Sequence, residues 1–263
     1  MLVANIAFLF TEVPFLERFD AARRAGFDAV ECHWPYEHTH ADLRAAIADS
    51  GLPLRGLNTW PGSSAAGEFG LAAVEGRGAD FTQTLEQALD YAGALNIPMV
   101  HVMAGVPQDP ARAEPLFIDN LRIAARRAAA LKVTLLIEPI NGRDVPGYAL
   151  THTDQAARII NAVGAENVMM MFDAYHVQIT EGDVTRRFAK HQPLIGHVQI
   201  AAVPDRGEPD DGELCYPYLF RELDRLGYAG AIAAEYRPRG RTEDGLAWMA
   251  GLRAERELMG ERA

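Results

Sequence analysis

Basic side chains are scarce in this sequence, which carries 25 Lys and Arg residues against 36 Asp and Glu residues, a formal net charge of −11. Binding to nucleic acid or to an anionic membrane depends on clustered Lys and Arg, so this balance argues against both kinds of partner. It leaves room for a bound cation and for a small-molecule substrate.

Cysteines and long apolar runs are also rare. Cys32 and Cys215 lack the close spacing of a metal site, and two thiols in 263 residues indicate a reducing compartment. No apolar run reaches the roughly 18 residues of a membrane helix. The opening segment MLVANIAFLF has neither a basic start nor a small-residue cleavage site, which favours a strand over a signal peptide. We therefore expect a soluble, cytoplasmic protein.

Short apolar runs alternate with longer amphipathic ones along the chain. The predicted strands are Val3–Ala7, Phe27–Glu31, Leu54–Asn58, Met99–Met103, Thr134–Glu138, Val168–Asp173, Ile195–Gln199 and Ala231–Glu235. Eight strands, each followed by a helix-like stretch, predict a single (β/α)8 TIM barrel over residues 1–263. A doubly wound open sheet is the alternative, but no glycine-rich phosphate turn follows the first strand.

One long segment fits neither a strand nor a helix. Pro61–Asp80 is irregular and rich in glycine. Loops of this length in compact barrels more often cover an active site than join domains. We therefore predict a lid-like loop at residues 61–80.

Nearly all of the predicted strands after the first end in polar residues. These are Glu31, Asn58, His101 or Met103, Glu138, Asp173, Gln199 and Glu235. The chemistry of such barrels lies at the carboxyl ends of the strands. The last four residues come from consecutive strands and offer only oxygen ligands, which suit Mg²⁺ or Mn²⁺ better than zinc. The alternative is four unrelated, solvent-facing strand ends.

Four further residues are candidates for substrate binding. His176 follows Asp173 by three positions and is either a substrate ligand or a helix cap. Arg206 lies in a Pro/Gly/Asp-rich loop, where it is either solvated or a clamp for a substrate carboxylate or hydroxyl. Asp144 is either a turn residue or a substrate contact, and His101 either a core histidine or a pocket residue.

Aromatic residues after the second and third predicted strands have two possible roles. His33, Trp34 and Trp60 follow those strands directly. They either form part of the pocket wall or pack without contacting a substrate.

Five sequence blocks, spread in order over nearly the whole chain, resemble the hydroxypyruvate isomerase family of xylose isomerase-like barrels. They are AAGEFGLAA, IEPINGRDVPGY, FDAYHVQITEGD, GHVQIAAVPDRGEPDDGE and YPYLFRELDRLGYAGAIAAEYRPRGRTEDGLAW. The group includes 2-oxo-tetronate isomerases. The resemblance implies two catalytic glutamates, which match Glu138 and Glu235.

The resemblance also implies a ligand set and two substrate contacts. The metal ligands would be Glu138, Asp173, Gln199 and Glu235. A His and an Arg that bind substrate in related ketose epimerases align with His176 and Arg206. Most of those epimerases carry His where this chain has Gln199, and Gln favours the hydroxypyruvate branch.

The sequence departs from the family pattern around the pocket. Gly207 replaces a His that commonly follows the loop arginine, and Ala174 and Ala234 are smaller than the usual neighbours of the carboxylates. The segment ECHWPY replaces a more apolar one. These changes leave the predicted machinery intact and put the exact substrate in doubt.

These residues suit a metal-assisted isomerase of a short keto acid or sugar acid. A proton would pass through an enediolate between two glutamates, converting hydroxypyruvate to tartronate semialdehyde or acting on a 2-oxo-tetronate. The alternatives are a ketose 3-epimerase, an abasic-site endonuclease-like protein and a non-catalytic binding protein. A homo-oligomeric state is left open, as is which glutamate acts first.

Overall fold

Eight short parallel strands form the centre of the molecule, of which the computed structural model describes residues 1–252. The strands are β1 (Leu2–Asn5), β2 (Ala29–Glu31), β3 (Gly56–Asn58), β4 (Met99–His101), β5 (Thr134–Ile137), β6 (Val168–Asp173), β7 (Ile195–Ile200) and β8 (Ile232–Ala234). Each lies within, or within one residue of, a segment predicted from the sequence.

The strands close into a barrel. Their order is β2-β1-β8-β7-β6-β5-β4-β3, with every neighbouring pair parallel. The two outer strands then meet, because Val30 accepts from the Arg55 amide at 2.8 Å and donates to the Pro53 carbonyl at 3.0 Å. The predicted (β/α)8 barrel is confirmed.

Helices connect the strands and cover the outside of the barrel. They are α1 (Arg18–Arg24), α2 (His40–Ser50), α3 (Gly78–Leu95), α4 (Pro110–Ala129), α5 (Thr153–Val163), α6 (Ala174–Thr180), α7 (Val184–His191) and α8 (Tyr216–Arg225). Among the helices of residues 1–252, none combines the length and apolarity needed to cross a bilayer.

The barrel interior changes from apolar to polar along the strands. Val3, Ala29 and Ala233 form a small buried cluster separate from the main core. Side chains two positions apart on a strand share a face. Each of these strands therefore carries its next inward side chain at the carboxyl end, and those side chains are Asn5, Glu31 and Glu235. The apolar layer thus forms the floor of a polar site.

The irregular segment between β3 and α3 differs from the predicted loop at its end, where Gly78–Asp80 form the first turn of α3. Gly70 pairs with Ala104 in an antiparallel bridge at φ +114°, and a Cβ there would lie 2.6 Å from the Met103 backbone. Only glycine fits this conformation and this close approach. Ser64–Ala66 form an exposed turn instead. The segment is therefore anchored at one point and exposed at another.

Candidate active site

The carboxyl ends of the strands surround a cavity of about 270 Å³. Six of the eight residues predicted for the site line it, namely His101, Glu138, Asp144, His176, Arg206 and Glu235. The other two are almost fully buried beside it: Asp173 is 1% exposed and Gln199 is 3% exposed. The fold therefore brings the predicted residues to one end of the barrel.

One side of the cavity, at the ends of β5 and β6, holds a buried acidic cluster. The Nε2 atom of His176 lies 3.7 Å from Glu138 Oε1 and 3.6 Å from Asp173 Oδ2. One ligand atom from each of the three residues lies within 4.8 Å of the others, so the cluster could hold a metal ion. Neither of the two carboxylate oxygens has a hydrogen-bond partner within residues 1–252.

The protonation of this cluster follows from its burial. Burial raises the pKa of Glu138 well above its usual range, and the neighbouring charges of Glu235 and Asp173 raise it further. Burial also raises the pKa of Asp173 to about 7, against the opposing effect of Arg206. Two buried acids with unpartnered oxygens are costly in the protein alone, and a cation would offset both. The donor set therefore fits a divalent metal.

The hydrogen bonds of His176 indicate which ring nitrogen carries its proton. Nδ1 lies 2.6 Å from Nδ2 of Asn141 and accepts from the Asn141 backbone amide at 3.3 Å. The Asn141 side-chain oxygen is already used by the amides of Arg143 and Asp144, so its nitrogen must face the histidine. Nδ1 is therefore an acceptor and Nε2 carries the hydrogen.

This tautomer decides what His176 can do in the cluster. An Nε2–H group has no lone pair for a metal but can donate to a carboxylate or to a substrate oxygen. Burial lowers the pKa of His176 well below its usual range, and Arg206 lowers it further, so the ring is neutral. The hydrogen bonds thus favour a role for His176 Nε2 as a hydrogen-bond donor over metal ligation.

The carboxylate of Glu235, beyond the end of β8, is fully paired. Glu235 accepts from Arg206 at 2.6 Å through Oε2, and its Oε1 meets His33 at 2.8 Å and Asn5 at 2.9 Å. Burial alone would raise the pKa of Glu235, but Arg206 and His33 lower it to about 2. Glu235 is therefore a carboxylate at neutral pH.

Arg206 is held in place by both its backbone and its neighbours. Its φ of +55° is unusual for a residue other than glycine. The guanidinium lies 5.0 Å from the ring centres of both Phe8 and Tyr175. It also contacts Asp144 at 3.4 Å, and the Tyr175 hydroxyl donates to that same carboxylate at 3.2 Å. This packing pre-organises a cation at the cavity wall.

Gln199 lies beside the cavity, whereas His101 lines it. Gln199 pairs with Asp173 in the register of β6 and β7, and its Oε1 has no hydrogen-bond partner within residues 1–252. It therefore offers a third free oxygen at the end of the third consecutive strand. His101 lines the cavity with Nδ1 3.7 Å from Glu138 Oε2, and burial lowers its pKa to about 3.

Several cavity residues were not singled out from the sequence. Phe8, Phe69 and Arg237 line the cavity, and Asn5 and Asn141 orient residues of the site. Asn5 was missed because the first strand was predicted to end at Ala7, whereas the chain turns at Asn5.

The aromatic residues after β2 and β3 have different positions. His33 and Trp34 line the cavity. Trp60 does not line it; its ring packs against that of Trp34 with 42% of the residue exposed. His33 and Trp34 therefore form part of the pocket wall, whereas Trp60 does not.

Comparisons with known proteins agree with this geometry. The family model described as a xylose isomerase-like TIM barrel matches residues 19–252. A 2-oxo-tetronate isomerase of Cupriavidus necator is 51% identical over 249 residues, covering 94% of this chain and 96% of that protein. A putative hydroxypyruvate isomerase of Mus musculus is 46% identical over 256 residues, covering 94% and 92%.

A solved structure has the same fold as this chain. The AP endonuclease, family 2, of Brucella melitensis superposes with a TM-score of 0.92 at 44% identity, covering 95% of this chain and 97% of that one. Curated relatives named 2-oxo-tetronate isomerase or hydroxypyruvate isomerase range from 39% to 51% identity, which confirms the predicted isomerase class. The chain therefore belongs to the xylose isomerase-like TIM barrel family, among its hydroxypyruvate isomerase-like enzymes.

Proposed function

We propose that this enzyme isomerises a short 2-oxo sugar acid, hydroxypyruvate or a 2-oxo-tetronate, by moving a proton between adjacent carbons. The observation that carries the proposal is the placement of Glu138 and Glu235 on one small cavity, where Glu138 also belongs to a buried cluster that could hold a cation. A 1,2 proton shift needs a group that takes the proton and a group that returns it. The two glutamates can serve as this pair.

The proposed ligands of the cation are Glu138, Asp173, Gln199 and Glu235. Three of them carry a buried oxygen without a hydrogen-bond partner in residues 1–252, as a site for a hard cation would. Mg²⁺ or Mn²⁺ bound there would stabilise negative charge on the substrate oxygens and acidify the neighbouring C–H group.

The remaining polar residues would bind and orient the substrate. His176 directs an Nε2–H group toward the cluster and can donate to a substrate oxygen. Arg206 and Arg237 both line the cavity and would attract a carboxylate. Relatives named 2-oxo-tetronate isomerase and hydroxypyruvate isomerase support an acidic substrate.

Two other activities receive less support. An L-ribulose 3-epimerase shares the fold at 21% identity. Identity at this level shows a common fold and does not indicate a common substrate. The similarity to a protein named AP endonuclease is higher, at 44% identity. Binding DNA requires a basic surface, however, and this chain carries a formal net charge of −11. The keto-acid isomerase is therefore the activity we propose.

The irregular segment between β3 and α3 is proposed to act as a lid. Phe69 lines the cavity from this segment, while Gly62–Glu68 are mostly exposed. Closure would shield the reacting carbons from water. Hydrogen exchange at residues 62–68 should slow when a substrate analogue binds, and no change would make the segment a passive loop.

An isomerisation assay of the Mn²⁺-loaded and Mg²⁺-loaded protein tests the proposed activity. Hydroxypyruvate, 2-oxo-tetronates and free ketoses would be compared by kcat/KM. The proposal expects turnover of the keto acids at least tenfold above that of the ketoses. Higher kcat/KM with neutral ketoses would support the epimerase instead.

A further inference from the structure

A fully buried carboxylate lies beneath the site and outside its cavity. Glu31 is 4% exposed and receives three short contacts. Its Oε1 accepts from Gln199 Nε2 at 2.8 Å and from Asn5 Nδ2 at 3.0 Å, and its Oε2 meets His197 Nε2 at 2.7 Å. The proposed reaction gives Glu31 no role. Its place in the fold is nevertheless similar to that of Glu235, because Glu31 is the last residue of β2 and Glu235 directly follows β8.

The contact with Gln199 fixes the orientation of an amide. The two ends of a glutamine amide have nearly the same shape but opposite hydrogen-bonding character. Glu31 Oε1 already accepts from Asn5 Nδ2, so it selects the orientation in which Gln199 Nε2, the donor end of the amide, faces it. Gln199 Oε1 must then point away from Glu31, and this oxygen has no partner within residues 1–252. The opposite orientation would present N–H groups to a cation.

Asn5 extends the same network to Glu235. The Asn5 side-chain oxygen accepts from the Ala7 amide at 3.1 Å, which fixes that amide as well. Its nitrogen has two hydrogens, and they go to Glu31 Oε1 at 3.0 Å and Glu235 Oε1 at 2.9 Å. Glu31 therefore contacts one proposed ligand directly and a second through a single residue.

We propose that Glu31 is a positioning residue that keeps Gln199 Oε1 turned toward the metal and helps hold Glu235. This inference rests on the metal site of the proposed function. Partners of metal ligands typically change metal affinity or activity by about 10–100-fold when they are replaced. We expect a loss of this size from a residue that touches neither metal nor substrate.

The test measures Mn²⁺ affinity by calorimetry and by electron paramagnetic resonance, without substrate. Glu31→Gln keeps the volume but can pair with Gln199 in either orientation. Glu31→Asp keeps the charge but withdraws the carboxylate by about 1.5 Å, one C–C bond. Both variants should bind Mn²⁺ about 10–100-fold more weakly than the wild-type protein. Glu31→Asp retains the negative charge, so a loss of Mn²⁺ affinity in this variant would come from the changed position of the carboxylate and not from a change of charge. This variant remains decisive if Glu31→Gln fails to fold.

A matched control is available outside the site. Glu208 is also a buried glutamate, 2% exposed, and accepts from Arg239 at 2.7 Å. Glu208→Gln should leave the Mn²⁺ affinity within about twofold of wild type, whatever it does to stability. A loss as large as that of the Glu31 variants would attribute their effect to general destabilisation and overturn the proposal.

A double-mutant cycle with Gln199→Ala completes the test. If Glu31 acts mainly through Gln199, replacing Glu31 in the Gln199→Ala background should change the Mn²⁺ affinity several-fold less than in wild type. An equal loss in both backgrounds, or wild-type affinity in both Glu31 variants, would overturn the proposal. Absence of Mn²⁺ binding to the wild-type protein would instead refute the metal site, and this inference with it.

Discussion

Glu138, after β5, and Glu235, after β8, line the same cavity, but their surroundings differ. Glu138 Oε1 has no partner within residues 1–252, whereas Glu235 meets Arg206, His33 and Asn5 through its two oxygens. Burial raises the pKa of Glu138, while Arg206 and His33 lower the pKa of Glu235 against the effect of burial. A buried acid can keep an oxygen without a protein partner, so that a ligand can bind it, or its oxygens can be paired by other side chains. This site contains one acid of each kind.

The largest effect expected from this pair is on turnover. Glu138→Gln and Glu235→Gln should each lower kcat by about 10²–10⁴-fold, the usual contribution of a general acid–base. The measurement is steady-state isomerisation of hydroxypyruvate at a fixed Mn²⁺ concentration that saturates the wild-type protein. Glu208→Gln serves as the control and should keep kcat near wild type. A glutamine variant that retains more than a tenth of wild-type kcat would remove that glutamate from proton transfer.

The same two variants should change the stability of the metal-free protein in opposite directions. Glu235→Gln leaves Arg206 and His33 facing an uncharged amide and should lower the free energy of unfolding at pH 8 by about 3 kcal/mol. Glu138→Gln removes a carboxyl that is costly to ionise and should raise the free energy of unfolding by about 0.5–2 kcal/mol, the usual size of a single stabilising change. Urea unfolding in EDTA measures both. Changes of the same sign would contradict the contrast between the two acids.

The pH dependence of these effects follows from the direction of each shift. The pKa of Glu138 is raised above 4.5, so metal-free wild-type protein loses stability as the pH rises above that value. The pKa of Glu235 is lowered from 4.5 to about 2, so its contribution is present above pH 4.5 and is lost as the pH falls toward 2. The benefit of Glu138→Gln should therefore shrink at pH 5, while the cost of Glu235→Gln should persist there.

Metal binding should distinguish Glu138 and Asp173 from Glu235. Mn²⁺ at 100 times its Kd would stabilise the protein by about 2.7 kcal/mol, or roughly 5–10 °C in Tm. Glu138→Gln and Asp173→Asn should abolish this gain, because Glu138 Oε1 and Asp173 Oδ2 are buried without a hydrogen-bond partner within residues 1–252. Glu235→Gln should reduce it less, because Glu235 must first separate from Arg206. Thermal unfolding with and without Mn²⁺ gives the ranking, and an equal loss in all three variants would contradict it.

The smallest effect expected concerns the arginine that pairs with Glu235. Arg206→Lys should raise KM for hydroxypyruvate by about 10–100-fold, since a charge-assisted hydrogen bond contributes about 1.5–3 kcal/mol. Lysine cannot reproduce the planar two-pronged contact. A neutral ketose should be nearly indifferent to the change. Arg143→Lys, an exposed substitution outside the cavity lining, is the control. Equal effects on keto acid and ketose would count against a carboxylate contact.

The strand ends could be predicted because of a local signal. A charge such as Glu138 at the end of an apolar run is costly unless something compensates it, and the repetition of this pattern over consecutive strands predicts a common site. The barrel itself follows from the alternation of strand and helix patterns. Both signals lie within short windows of sequence, so neither depends on the rest of the structure.

The pairing within the site could not be predicted, because the partners are far apart in the chain. Glu31 and Gln199 are separated by 168 residues, and His33 and Glu235 by 202. The tautomer of His176 depends on the orientation of Asn141, which depends in turn on two backbone amides. Such relations exist only once the strands are in register.

The close approach of Gly70 to the Met103 backbone has a consequence for how this enzyme can diversify. Insertions or deletions next to Gly70 would break the bridge to Ala104, so this point of the loop must keep its length and its glycine. The exposed turn at Ser64–Ala66 carries no such constraint, and exposed loop tips are where insertions are tolerated. Changes of loop length at this turn can therefore alter access to the cavity while leaving the residues at the strand ends in place, which gives evolution a route to new substrates without a new catalytic centre.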